Sequence, residues 1–242
     1  MSPRRFLTTL GCLGLVAAGA LPNVAAAQNT ALVPAPFLEE RHEVFLEEAS
    51  AGGIDCLLMG DSITDWWRRY AADLYDEIFT PLKCANFGIA GDRTQGVLWR
   101  MENGELEGYS PRVMMLMIGT NNLSGRRGPP NAPAEIAMGI ATIVSKFRTT
   151  FPEAKVLLLG VFPRGAEPDS QYREPIRQIN ELIAHLDDGE YVRFMDIGEH
   201  FLEPDGSISE EVMPDGLHPS ELGYQIWADA VMPTFRAMMG PS

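Results

Sequence analysis

Ser62 stands in Gly60-Asp61-Ser62-Ile63, directly after the apolar run Asp55-Cys56-Leu57-Leu58-Met59. A serine on a tight turn between strand and helix presents its hydroxyl outward. Its own N–H faces the same space, and the helix N-terminus favours negative charge there. Taken alone, the Gly-Asp-Ser tripeptide is equally an ordinary helix cap. A hydroxyl becomes a strong nucleophile only beside a base, usually an imidazole, and the chain has 4 histidines. His42 falls in a charged leading helix, His185 in a helix before Asp187-Asp188, and His200 in a loop-like stretch. All three are expected to be solvated or to cap a helix. His218 differs, because Asp215-Gly216-Leu217-His218-Pro219 sets a carboxylate close upstream in the same turn. Asp215 can reach one ring nitrogen while the other faces Ser62, which fixes the tautomer and stabilises the imidazolium. Ser62, Asp215 and His218 are therefore the expected catalytic triad for acyl transfer.

Acyl transfer also needs donors for a tetrahedral oxyanion. Asn86-Phe87-Gly88-Ile89-Ala90-Gly91-Asp92 offers one, since glycine at Gly91 lets its backbone N–H approach a substrate closely. Gly119-Thr120-Asn121-Asn122 offers a second through the Asn121 amide. With the Ser62 N–H these form the expected oxyanion hole. Glycine- and asparagine-rich turns are also default loop chemistry, so the convergence of these motifs carries the expectation, not any one of them.

Something must hold these segments together. The runs at residues 55–59, 113–118 and 156–159 are continuously apolar and end at Gly60, Gly119 and Gly160, as strands buried on both faces of a parallel sheet do. Residues 84–87 and 191–195 are partly polar, as edge strands are. Between them, Ile136, Ile140, Ile143, Val144 and Phe147 recur at helical spacing, as do Ile176, Ile179, Ile183 and Leu186, and Leu222, Ile226, Trp227, Ala230 and Phe235 approximate a last helix. Alternating strands and helices imply right-handed crossovers and one three-layer α/β/α domain spanning residues 28–242. In such sheets ligands bind at the carboxyl ends of the strands, where the candidate residues lie. The proline-rich stretch Arg126 to Pro133 is an insertion near such an end, not a linker.

At 242 residues, 45% hydrophobic and 21% charged, the chain can bury a sizeable core without metal or disulfide support. The formal charge of −14 argues against nucleic acid or an anionic membrane as partner. Residues 1–27 have the form of a secretory signal peptide: Arg4-Arg5, an apolar stretch from Phe6 to Ala20, and Ala25-Ala26-Ala27 before Gln28. That stretch is too short for a stable membrane span, and the residues after Arg4-Arg5 fit a twin-arginine signal poorly. The chain is thus expected to be exported, periplasmic or secreted. Export permits a disulfide between Cys56 and Cys84, but each sits in an apolar run where free cysteine behaves as a small hydrophobe. The unpaired reading is favoured.

In order, Gly60-Asp61-Ser62, Gly91, Gly119-x-Asn121 and Asp215-x-x-His218 resemble the blocks of the SGNH (GDSL-type) hydrolases. The likeness is closer to the catalytic subunits of the platelet-activating-factor acetylhydrolase Ib group. It is carried by Asn86 to Thr94, Val97-Leu98-Trp99-Arg100, Glu102 to Leu106, Ile118 to Asn122 and Pro163-Arg164-Gly165. The resemblance implies a flavodoxin-like five-stranded parallel sheet of order 2-1-3-4-5, hydrolysis of short acyl esters, often acetyl, no required metal or cofactor, and a homodimer by analogy. Ile63-Thr64-Asp65-Trp66-Trp67 departs from that group, and Trp66 or Trp67 could stack on a sugar ester; packing of both into the core is the competing reading. A long-chain lysophospholipase or thioesterase is the rival within catalysis, and a non-catalytic carbohydrate-binding module the rival outside it. A metal-dependent hydrolase lacks clustered His or Cys ligands.

Overall fold

The computed structural model describes residues 28–240; the expected leader, residues 1–27, lies outside the described residues. The chain runs α1 (Glu39–Ala51), β1 (Cys56–Gly60), α2 (Ser62–Asp65), α3 (Trp67–Tyr70), α4 (Ala72–Ile78) and β2 (Cys84–Gly88). It continues through α5 (Thr94–Glu102), β3 (Val113–Met117), α6 (Pro133–Thr150), β4 (Lys155–Leu159), α7 (Arg173–Ala184), β5 (Val192–Met195) and α8 (Glu221–Met239). All strand pairs are parallel and the sheet order is β2-β1-β3-β4-β5, as the resemblance implied.

Alternation along the strands explains why their runs are apolar throughout. Leu57, Met59, Met114, Leu116, Val156 and Leu158 pack on one face against α1, α5, α6 and α7. Cys56, Leu58, Val113, Met115, Met117, Leu157 and Leu159 pack on the other against α2–α4 and α8. Successive side chains of a strand point to opposite faces, so a sheet covered on both sides has no polar position to spare. β2 and β5 are the edges, and their partly polar composition follows. The α6 and α7 stripes face the core as their spacing requires. The α8 stripe is offset: Tyr224, Trp227, Ala228, Val231, Met232 and Phe235 are buried, whereas Leu222 is 47% exposed.

Two expectations need correction here. Cys56 and Cys84 are joined in a disulfide. Both are buried as expected, but the β1–β2 register sets Cys56 directly opposite Cys84 on the same face, a pairing no local pattern reveals. Trp67 does not line a site. It is fully buried against Phe79, Tyr224 and Trp227, with ring centroids at 5.3, 4.4 and 4.9 Å.

Candidate active site

β1 ends at Gly60, and Asp61 caps the short α2 helix by accepting the Ile63 N–H on Oδ1 at 3.0 Å. This cap leaves Ser62 as the first helical residue, at the carboxyl edge of the sheet. Its Oγ lies 2.9 Å from Nε2 of His218. His218 Nδ1 lies 2.6 Å from Oδ2 of Asp215. Asp215 Oδ1 accepts the backbone N–H groups of Leu217 and His218 at 3.0 and 2.8 Å. The carboxylate thus shapes its own turn with one oxygen and orients the imidazole with the other. Nδ1 carries the proton in this arrangement, so Nε2 is free to accept the Ser62 hydroxyl hydrogen. Burial raises the Asp215 carboxyl, but the His218 N–H, its imidazole and the Leu217 N–H outweigh it and hold the pKa below the usual value. A carboxylate that stays ionised is what an imidazolium partner needs. The turn is tied down by Gly165 N–H donating to the Gly216 carbonyl at 2.8 Å.

Beyond β2, Ile89 to Asp92 form a tight turn in which Asp92 N–H donates to the Ile89 carbonyl and Gly91 has φ +86°. L side chains rarely adopt that conformation, and a Cβ there would collide with the Arg127 guanidinium. Beyond β3, Asn121 Nδ2 donates to the Asp92 carbonyl at 3.0 Å and keeps its second N–H. The neighbouring Asn122 is wholly buried and fastens this turn to α5 by accepting the Thr94 N–H at 3.1 Å. Neither the Ser62 nor the Gly91 N–H meets an acceptor among the described residues. Ser62, Gly91, Asn121 and His218 all line one cavity of about 590 Å³. Trp66 lines it too, its ring 4.3 Å from that of His218.

Several residues here were not found by sequence reasoning. Asp61 is fully buried with Oδ2 unpartnered; burial pushes its carboxyl up to about 7, opposed by the Ile63 N–H and reinforced by Asp92. Asp92 is also buried and pushed up to about 6, although Arg100 and the Arg93 N–H pull it down. Arg100, at 0% exposure, donates Nε and Nη2 to Asp92 Oδ2 at 3.2 and 3.0 Å and Nη1 to Glu105. Glu105 in turn meets His42 Nδ1 at 3.3 Å, and His42 Nε2 meets the Asn103 carbonyl at 3.0 Å. His42 is therefore not solvated: it is 3% exposed and closes a buried polar chain ending at Asp92. Its charged flanking residues on α1 hid that inward position. His185 and His200 lie outside the cavity lining. Arg126, Arg127 and Arg164 line the cavity; the first two were marked only by a loop at a strand end, and Arg164 by the turn that carries the family resemblance, none with a role assigned.

Among the described residues, no group of 3 or more His, Cys, Asp or Glu is placed to hold a metal ion, and no helix is long and apolar enough to cross a membrane.

The family model described as GDSL-like Lipase/Acylhydrolase matches residues 58–226. Over 184 residues the chain is 38% identical to platelet-activating factor acetylhydrolase IB subunit alpha1 of Rattus norvegicus, covering 76% of this chain and 75% of that one. The fold is similar to that of a GDSL-like lipase from Bacteroides thetaiotaomicron, with TM-score 0.66 and 19% identity over 81% of this chain and 97% of that one. It is also similar to an acetylxylan esterase of Geobacillus stearothermophilus, with TM-score 0.60 and 18% identity over 79% and 96% of the two chains. By the extent of the family match and of this sequence kinship, the chain belongs to the GDSL-like lipase/acylhydrolase family and is a carboxylic ester hydrolase.

Proposed function

We propose that Ser62 is the nucleophile, His218 the general base and then acid, and Asp215 the group that orients it, in hydrolysis of short-chain esters, acetyl esters above all. The observation that carries this reading is the continuous chain from Ser62 Oγ through the imidazole to Asp215, at 2.9 and 2.6 Å. Ser62 Oγ attacks the ester carbonyl as its proton passes to Nε2. The carbonyl oxygen gains charge between the N–H groups of Ser62 and Gly91 and the Asn121 amide. Collapse expels the alcohol, which takes the proton from His218; water then attacks the acyl-Ser62 carbonyl by the same route.

The cavity wall supports a short acyl group. Its apolar side chains are few, Trp66, Ala90 and Leu217, and among them stand Asn121, Ser124 and three arginines, a lining that suits a small acyl group beside a polar alcohol. The names of the relatives, an acetylhydrolase and an acetylxylan esterase, agree with acetyl as the acyl group and with a carbohydrate as one possible alcohol. Trp66, beside the imidazole, is the surface on which a sugar ring would stack. Export is part of the proposal: the leader reading of residues 1–27 and the Cys56–Cys84 bridge both suit an oxidising compartment.

An acyl-length series of p-nitrophenyl esters from acetyl to octanoyl tests the substrate. The highest kcat/KM is expected at acetyl. A maximum at octanoyl would replace this reading with a long-chain acyl hydrolase.

A further inference from the structure

Outside its reacting atoms, the cavity is a cationic site in an acidic protein. The chain carries 33 acidic and 19 basic residues, yet the cavity wall presents Arg126, Arg127 and Arg164 and no aspartate, glutamate or lysine. Among the described residues, none of the three forms an ion pair. The acids behind the wall make no ion pair with them: Asp215 holds the His218 imidazole, Asp92 holds Arg100, and Asp61 caps α2 with one oxygen and feels Arg164 only from beyond contact.

Two of these arginines are held in place. The Arg127 guanidinium lies 4.1 Å over the Phe37 ring and against the backbone of Gly91. Arg164 lies 4.0 Å over the Tyr172 ring and donates Nη1 to the Thr120 carbonyl at 3.1 Å. A guanidinium fixed on an aromatic face loses little freedom when it meets a ligand, and its planar fork suits a carboxylate or phosphate. Arg126 is exposed beside Arg127, on a loop whose backbone is anchored by Arg93 donating to the Arg127 and Pro129 carbonyls at 2.9 and 2.8 Å. That anchor uses backbone oxygens, so changing the side chain at 126 or 127 leaves it intact.

We propose that the substrate carries an anionic group outside its scissile ester, a carboxylate or a phosphate, recognised by Arg126, Arg127 and Arg164. The proposal rests on the Ser62 ester-hydrolase reading and narrows its substrate class. The overall negative field repels anions elsewhere on the surface, so the arginines concentrate such a substrate at the cavity mouth. Their attraction is exposed to solvent and is therefore weakened by salt.

Matched acetyl esters decide the matter: acetylated methyl glucoside against acetylated methyl glucuronoside for carboxylate, and acetylglycerol against acetylglycerol phosphate for phosphate. The reading is the ratio of kcat/KM, anionic over neutral, at low and at moderate ionic strength. The wild-type ratio is expected to favour at least one anionic ester by about tenfold and to fall with salt, the size of one charge-assisted hydrogen bond. In the double variant Arg126→Gln/Arg127→Gln that ratio is expected to drop by about tenfold. The carboxylate and phosphate arms identify which anion is taken. A wild-type enzyme that hydrolyses the neutral esters without preferring either anion, or a ratio unmoved by the double variant, overturns the anion site and leaves the esterase reading standing. Failure to release acetate from any of these esters overturns both.

Discussion

Replacing Arg100 by methionine removes one guanidinium from between two buried carboxylates while keeping an unbranched apolar stem. Arg100 is fully buried and supplies both Asp92 and Glu105 with their charged donor. Without it Glu105 keeps only His42 and Asp92 only the Arg93 N–H, so the buried Asp92 carboxyl must stay ionised without a charged donor or take up a proton. Breaking a buried pair from one side costs about 3–5 kcal/mol. The pH sets how much of that cost appears. In the wild type, burial already pushes Asp92 up to about 6, so near pH 5 it is largely protonated in the folded state. With the guanidinium gone its pKa rises further. Above about pH 6 the variant's folded state then retains a proton that the wild type and the unfolded chain have lost. Stability falls with pH wherever the folded state binds the extra proton, by about 1.4 kcal/mol per unit. The penalty of Arg100→Met should therefore grow by about 2 kcal/mol between pH 6 and pH 8. Urea unfolding at several pH values measures it. Activity should fall as well, mainly in kcat, because the Asp92 carbonyl holds the Asn121 amide at 3.0 Å. The ceiling is the loss of one oxyanion donor, about 3–4 kcal/mol. A penalty that is independent of pH, or below about 1 kcal/mol at pH 8, would refute the reasoning.

The adjacent tryptophans should part company. Trp67→Ala empties part of the aromatic core and should destabilise by about 3–5 kcal/mol, whereas Trp66→Ala should alter KM for sugar acetates with little change in thermal midpoint; similar effects from both would mean the partition is misjudged. Asp61, with its carboxyl pushed up to about 7, holds a proton in the fold that the unfolded chain has released, so stability should decline from about pH 4 to pH 7. Asp61→Asn cannot titrate and should flatten that slope by about 1.4 kcal/mol per unit; parallel stability–pH curves for the two proteins would reject the buried-acid account.

Ser62, Gly91 and Asn121 were legible because each follows a strand run, and strand ends of a parallel sheet converge on one rim; Asp215 and His218 were legible from their shared turn ahead of the last helix. The layers were legible too, from continuous strand runs and the isoleucine spacing of α6 and α7. The strand order came only with the family resemblance. What stayed hidden depends on which positions face each other across the sheet. Cys56 and Cys84 each look like core residues, and only parallel register sets them opposite one another. Trp66 and Trp67 are neighbours in the chain, but the break between α2 and α3 turns one toward the cavity and the other into the core. His42 sits among charged residues on α1 and still points inward, because Glu105 and the Asn103 carbonyl, distant in the chain, receive its ring. The cationic wall was illegible for the same reason. Arg126 and Arg127 come from a loop after β3 and Arg164 from one after β4, and their meeting belongs to the fold.

Mass-spectrometric mapping of a fluorophosphonate adduct reaches the account most directly, since such probes react only with a serine activated by its neighbours. The account predicts one adduct per chain, on the peptide containing Ser62, formed in the native enzyme and abolished by His218→Ala. An adduct on a different serine, or an enzyme that keeps hydrolysing esters with Ser62 unlabelled, would contradict it.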